Sequence, residues 1–482
     1  MYELHMPQTP PFLDRHDEMN ALEATRKGGR GGLVVVLGRR RIGKTELLAR
    51  FCKGKPSTMV FVREAELSAQ VADISREIAA AMGDEVVARN PPTDVDTLLE
   101  LIARFLSQAG NPVLVLDEFQ NLVGGRRDLQ SAFQAAWDIR LRKTGGVLVL
   151  CGSAVGMMEE ITASPRAPLY GRSTVRLHLQ PLAFWNCGPM LPEAAWAQKL
   201  LRFAVAGGVP HFLQVMASHK NLRKALLAAV FQRTAPLYDE PATMIRAETR
   251  EPDRYFTLLE AIAGGASRPT DIADRARIPV TQVTAYLKIL TEGLRLVERR
   301  TPITARRGVD KVSLYRLADP FYRFWFACVA PQKSLLERGA AESAVEAALE
   351  RLPTLAGPVL EDIVMDAMAA SHGAKWEGLR LDFTSIGSWW SRRGDEVDIL
   401  GLGGKGGPIA VEVTLGGRPV DRSDVDRLVA KLPLLPVKGP IRPAILTLGR
   451  FTPAALERGK EVGVALVGGN TLASVFRGLQ AL

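Results

Sequence analysis

The sequence predicts an α/β protein whose first part is a parallel sheet and whose remainder is helical and smaller mixed modules. Three observations carry this. Continuous apolar runs, as expected of strands covered on both faces, recur at residues 33–37, 112–116 and 146–150, separated by stretches of helical periodicity. The first run opens into Gly38-Arg39-Arg40-Arg41-Ile42-Gly43-Lys44-Thr45, a glycine-bounded loop leading into the helical pattern of residues 46–51. The second ends in the acidic pair Asp117-Glu118.

Composition narrows the class. A chain of 482 residues is too long for one core and suggests about three domains. Its 47% hydrophobic and 24% charged residues are those of a globular protein. No apolar run approaches the roughly 18 to 20 residues that span a bilayer, so no membrane partner is expected. Met1-Tyr2-Glu3-Leu4-His5 lacks a basic segment followed by an apolar one, and a cytoplasmic location is expected. Cys52, Cys151, Cys187 and Cys328 show no C-x-x-C spacing, against a disulfide framework or zinc site. The net charge of +10 raises the prior for nucleic acid modestly, since solubility alone also uses charge.

Taken in order, Phe12 and Arg15 stand upstream of the first strand, where they can flank a nucleotide base by stacking or polar contact; a plain surface turn is the alternative. In the loop, backbone N–H groups from Gly38 through Arg41, Ile42 and Gly43 to the helix start at Thr45 and Glu46 curl round phosphates. Lys44 reaches the terminal phosphates and the Thr45 hydroxyl binds Mg²⁺, so ATP or ADP with Mg²⁺ is the expected ligand. A second strand follows at 58–62, then helices at 71–82 and 95–109. Asp117 is placed to hold Mg²⁺ through its water shell, and Glu118 to orient or deprotonate the attacking water. After a helix at 129–137, the strand 146–150 leads through Cys151-Gly152 to Ser153, a candidate sensor of the γ-phosphate or of the attacking water, although a serine there is also an ordinary turn residue. A last strand is expected at 174–179. The preceding Leu169-Tyr170-Gly171-Arg172 is expected in a loop at the sheet's C-terminal edge, where Arg172 serves as an arginine finger in cis or across an oligomer, or is simply solvated.

In this order the elements from Phe12 to about Leu182 resemble archaeal-type P-loop ATPases of the STAND and AAA+ branch. Phe12, Arg15 and Glu18 are similar to that family's F-x-x-R-x-x-E element, with Asp14 where a glycine is usual. Gly207-Gly208-Val209-Pro210 is similar to its G-G-x-P motif. The resemblance implies an ATPase core over 1–193 and a helical lid-like segment over 194–248, and it implies that Pro210 packs near the adenine. From sequence alone, Gly-Gly-x-Pro is only a helix breaker.

Residues 249–330 read as a winged helix. Three short helices end in one at 280–290, and two short strands flank a basic loop with Lys311. Thr281, Gln282, Thr284 and Lys288 on the last helix, and Arg299, Arg300, Arg306 and Arg307 on the wing, are candidate DNA contacts. Such a module can instead clamp an ATPase domain. The aromatic run Phe321-Tyr322-Arg323-Phe324-Trp325-Phe326 has core spacing rather than the look of a stacking platform.

A linking helix is expected within 331–352 and a third unit over 353–482. That unit resembles the restriction-endonuclease-like domain at the C-terminus of the same ATPases, through Trp389-Trp390, the strand Glu396-Val397-Asp398-Ile399, and Glu412. The resemblance implies a nuclease-like site of Glu361, Asp398 and Glu412 on one or two Mg²⁺. Thr414 stands where the family has lysine, which leaves metal binding open and puts cleavage in doubt.

The combined expectation is a switch that binds and hydrolyses ATP, coupled to a winged helix and a nuclease-like domain acting on DNA. The alternatives are a non-catalytic nucleotide-dependent scaffold that recruits protein partners or self-associates, and an ATP-gated metal-dependent DNA nuclease.

Overall fold

A computed structural model describes residues 12–165, 167–305 and 313–481. They fall into two compact units: Phe12–Pro181 with Glu292–Leu294, and the described residues of Leu182–Thr291 and Arg295–Leu482.

The first unit is a five-stranded parallel sheet. Its strands are β1 (Gly32–Leu37), β2 (Ser57–Phe61), β3 (Val113–Asp117), β4 (Val147–Gly152) and β5 (Val175–His178), in spatial order β2-β3-β4-β1-β5. Every residue of β1, β3 and β4 is buried, as their unbroken apolar sequence requires. The helix Val95–Leu106 shows how a covering element is made. Asp94 caps it, accepting from the Thr97 N–H at 2.8 Å. Leu98, Leu99, Ile102 and Phe105 then bury one stripe against Leu114 and Leu116, each large side chain contributing roughly 1.5–3 kcal/mol. It stops three residues before the expected 109, where the Ser107 hydroxyl donates back to Ala103 O and Gly110 turns the chain at φ +90°. Because all five strands run the same way, their C-terminal ends share one edge, and the loop after β1 and the ends of β3 and β4 converge there.

In the second unit, helices Trp196–Ala206 and Pro210–Ala217 meet at Gly207 and Gly208. A Cβ on Gly208 would lie 2.1 Å from Leu182 O, and Gly207 has φ +63°, so both positions require glycine. Helices Pro252–Ala263, Pro269–Ala276 and Val280–Lys288 precede an antiparallel hairpin, β6 (Val297–Arg300) with β7 (Leu314–Leu317). Arg306, Arg307 and Lys311 lie outside the described residues. Trp325 and its aromatic neighbours are buried, the Trp325 indole donating to Tyr238 O at 2.9 Å.

A small hairpin, β8 (Lys375–Trp376) with β9 (Leu379–Arg380), leads to a mixed sheet of β10 (Ser385–Trp390), β11 (Glu396–Leu402), β12 (Ile409–Thr414), β13 (Arg442–Thr447) and β14 (Ala465–Val467) in sequential order. Here one expectation changes. The linking helix expected to end by 352 and the start of the third unit are a single 30-residue helix, Ala341–Ala370, running through Pro353 and Pro358. An interior proline costs about 3 kcal/mol. The stripe Leu352, Ala356, Val359, Leu360 and Ile363 stays buried across both prolines and outweighs that cost. Among the described residues no single helix is long and apolar enough to cross a membrane.

Candidate functional site

The loop after β1 is shaped by its glycines. A Cβ on Gly38 would lie 3.0 Å from both Leu179 O and Ile42 Cγ2, and Gly43, at φ +95°, starts the helix Lys44–Cys52. Arg41 is held at φ +66° without being glycine, a conformation that costs of order 1–3 kcal/mol and recurs at ligand clamps. Ile42 is buried and pins the loop to the core. Lys44 is also buried, its ammonium donating to the carbonyls of Gly38 at 2.8 Å and Arg39 at 3.1 Å, which keeps the charge in the mouth of the loop.

One contact ties this loop to the end of β3, and a second ties the end of β3 to that of β4. The Thr45 hydroxyl donates to Asp117 Oδ2 at 3.0 Å, a pair of hard oxygens that suits Mg²⁺. Glu118, immediately after β3, sits at φ +56° and turns its carboxylate towards β4. There Oε2 accepts from the Ser153 hydroxyl at 2.7 Å, from the Ser153 N–H at 3.1 Å and from the Gln120 amide. Burial acts to raise the Glu118 pKa, but the Gln120 and Ser153 donors and the Lys44 charge outweigh it and hold the carboxyl below its ordinary range. Gln120 carries no motif, and sequence reasoning missed it. Its signal is indirect: a Cβ on Gly152 would lie 2.4 Å from Gln120 Oε1, so that glycine makes room for the amide.

Phe12 lies beside the phosphate-loop helix, with Arg50 Cζ 4.5 Å from its ring centroid, and Arg50 in turn pairs with Glu46 at 2.6 Å. Arg15 is a tie: it donates to Gln180 O at 2.7 Å and pairs with Glu18 at 3.0 Å, joining the first helix to the chain that leaves β5. Pro210 opens its helix in the other unit.

Arg172 requires correction. It precedes β5, whose Val175 pairs with Val34, and Thr174 accepts from the Leu33 N–H at 3.1 Å. It therefore stands at the N-terminal edge of the sheet, about 16 Å of strand from the loop after Leu37. That is beyond the reach of an arginine side chain. Its guanidinium is held bidentately by Asp138, at 2.8–3.1 Å, and by Pro168 O. An arginine-finger role in cis is excluded by this position.

In the C-terminal sheet, Leu400 pairs with Ala410, and continuing the register sets Asp398 opposite Glu412 on one face. Burial first, then the charges of Glu412 and Glu361, push the Asp398 carboxyl up to about 8. Burial also raises Glu412 and Glu361, against Lys431 in the first case and with Asp362 in the second. The acids share a field, yet among the described residues no group of three or more His, Cys, Asp or Glu is arranged to hold a metal ion. The expected metal cage is thus corrected. Asp398 Oδ2 is engaged by the Val413 N–H at 2.7 Å, and the Lys431 ammonium lies 2.8 Å from Glu412 Oε1. Lys431, from the helix Arg422–Lys431, supplies a lysine beside Glu412 that Thr414 does not, and no in-strand spacing could have revealed it.

On the helix Val280–Lys288, Thr281, Gln282, Thr284 and Lys288 are exposed while Val283 and Leu287 are buried. Gln282 accepts from Arg254 at 3.2 Å, and on the hairpin Arg299 donates to Ser313 at 2.9 Å. Arg300 faces the C-terminal sheet, donating to the Ser388 hydroxyl.

The parallel sheet, the phosphate loop and the acidic pair beside it define a P-loop ATPase. Residues 12–202 match a family model described as an ATPase domain predominantly from Archaea. Residues 325–416 match a second model, described as Archaea bacterial proteins of unknown function. An uncharacterized protein of Methanocaldococcus jannaschii is 28% identical over 391 residues, which are 81% of this chain and 84% of that one. A Walker-type ATPase of Pyrococcus abyssi shares the fold at 20% identity and a TM-score of 0.50, over 67% of this chain and 98% of its own.

Proposed function

We propose that the protein is a nucleotide-state switch, in which ATP turnover in the first unit sets the activity of a winged helix and a nuclease-like C-terminal segment on DNA. The observation that carries the reading is the pair of contacts Thr45–Asp117 at 3.0 Å and Ser153–Glu118 at 2.7 Å, which join the ends of β1, β3 and β4. In this reading Lys44 exchanges its loop carbonyls for the β- and γ-phosphates of ATP. Glu118, kept ionised by Ser153 and Gln120, accepts a proton from the attacking water. Ser153 reports on that water through Glu118. Mg²⁺ bound through Thr45 and Asp117 would neutralise charge on the phosphate oxygens. Pro210 serves as the nucleotide-sensing residue of the second unit, and Thr281, Gln282, Thr284, Lys288 and Arg299 as the DNA-facing set.

Steady-state phosphate release together with calorimetry tests this. Lys44→Ala is expected to lose both nucleotide affinity and turnover. Glu118→Gln is expected to keep affinity while turnover falls by about 10²–10⁴, the usual worth of a positioned base. A Lys44→Ala protein hydrolysing ATP as fast as the parent would refute the site.

For the C-terminal sheet, Thr414 in the place of the in-strand lysine supports binding over cleavage, and Lys431 beside Glu412 is the residue that would have to stand in for it. Plasmid DNA incubated with Mg²⁺ or Mn²⁺ is expected to stay intact. Cleavage that Glu412→Ala abolishes would restore the gated nuclease.

A further inference from the structure

We propose that a cleft within the second unit holds one strand of nucleic acid, with Arg268, Arg392 and Arg393 on its phosphates and Trp390 against a base. This rests on the DNA-acting reading above and names the site at which the strand is held. The cleft encloses about 550 Å³, within the size range of ligand sites. One wall is the start of the helix Pro269–Ala276 together with β7, joined where the Tyr315 N–H donates to Ser267 O at 2.7 Å. The other is the turn between β10 and β11, which carries Arg392 and Arg393. Arg300, Glu361 and Asp398 line the same cleft.

The turn is rigid. The Ser391 N–H donates to Asp395 O at 2.7 Å and its hydroxyl to Asp395 Oδ2 at 2.8 Å, while the Arg393 and Asp395 N–H groups both donate to Ser391 Oγ, and Gly394 completes the reversal at φ +95°. The backbones of both arginines are therefore fixed while their side chains are exposed. Among the described residues the guanidinium groups of Arg268, Arg392 and Arg393 make no hydrogen bond or ion pair. By contrast Arg316, in the same cleft, is bound to Glu298 and Asp362, and Arg300 to Ser388. Three unengaged guanidinium forks lining one cleft are phosphate donors, since each offers paired N–H groups to a phosphate's oxygens. Half-buried Trp390 gives a base a ring to lie on. Trp390 favours a single strand, whose unpaired bases expose their faces for stacking. The floor carboxylates would repel a backbone if fully charged. Burial favours their protonated forms, and the Arg300 charge beside Glu361 offsets part of the remainder.

The test is fluorescence anisotropy of the full chain with a labelled single-stranded oligonucleotide and with its duplex, across a salt series. The parent should bind the single strand more tightly. Arg392→Ala/Arg393→Ala should weaken it at least tenfold and flatten the log K against log salt slope by about 1.4, two contacts at about 0.7 each. Arg268→Ala, on the opposite wall, should weaken it independently. Arg142→Ala/Lys143→Ala removes the same charge from exposed positions of the first unit and should change little. Equal losses in the two double variants, or tighter binding of the duplex by the parent, would overturn the cleft. Parent-like binding by both Arg392→Ala/Arg393→Ala and Arg268→Ala would overturn it too while leaving the DNA reading in place, whereas a parent that binds neither probe at low salt defeats both.

Discussion

Glu118 combines a left-handed backbone, a half-buried carboxylate and three donors on one oxygen, an arrangement that costs conformational energy and fixes where the carboxylate points. Its lowered pKa has a definite sign. The stabilisation it gives is present above the unfolded value near 4.3 and is lost as pH falls through the folded value. Removing a donor should raise that value, so Gln120→Ala should shift the acidic limb of the pH–rate profile for ATP hydrolysis to higher pH, with ADP affinity unchanged. An unmoved limb would mean that Gln120 does not tune the base. At this scale the placement of a residue was legible wherever it directly follows an element that the sequence makes plain. Lys44 and Thr45 follow a loop, and Asp117 and Ser153 follow apolar strands. Arg172 was misplaced because nothing local distinguishes a loop entering a strand from one leaving it. Lys431 was invisible because its partner lies on another element.

Strands covered on both faces were easy to read, since burial on both sides leaves no polar alternation to confuse with a helix. The helix Ala341–Ala370 was not, because proline is locally a stop signal and only the buried stripe on either side shows the helix continuing. The β11–β12 pair carries a prediction of its own. The folded protein holds the Asp398 proton up to about pH 8, while an unfolded chain releases it near 4, so stability falls as pH rises across that interval. Asp398→Asn keeps an acceptor for the Val413 N–H and removes the charge. It should raise stability at pH 8 by on the order of 2 kcal/mol, with the gain vanishing towards pH 4, as read by denaturant unfolding at both pH values. In the same sheet, Lys431→Met should lower stability near neutral pH by leaving the Glu412 carboxyl half-buried without its cation.

Across the whole molecule the chain forms two compact units, and nucleotide belongs to the first. A ligand bound only by the folded form adds about 2.7 kcal/mol at a hundredfold excess over its Kd. For a unit of this size that corresponds to roughly 5–10 °C. Scanning calorimetry with Mg²⁺ and ADP should show that rise in the parent and none in Lys44→Ala. Near the start of the long helix, Glu342 and Glu346 grip Arg223, and some twenty residues on, Glu361 faces the strand cleft. At 1.5 Å per residue the helix is about 45 Å long. One continuous helix thus runs from the Arg223 ion pairs to the residue lining the cleft, with no loop between them.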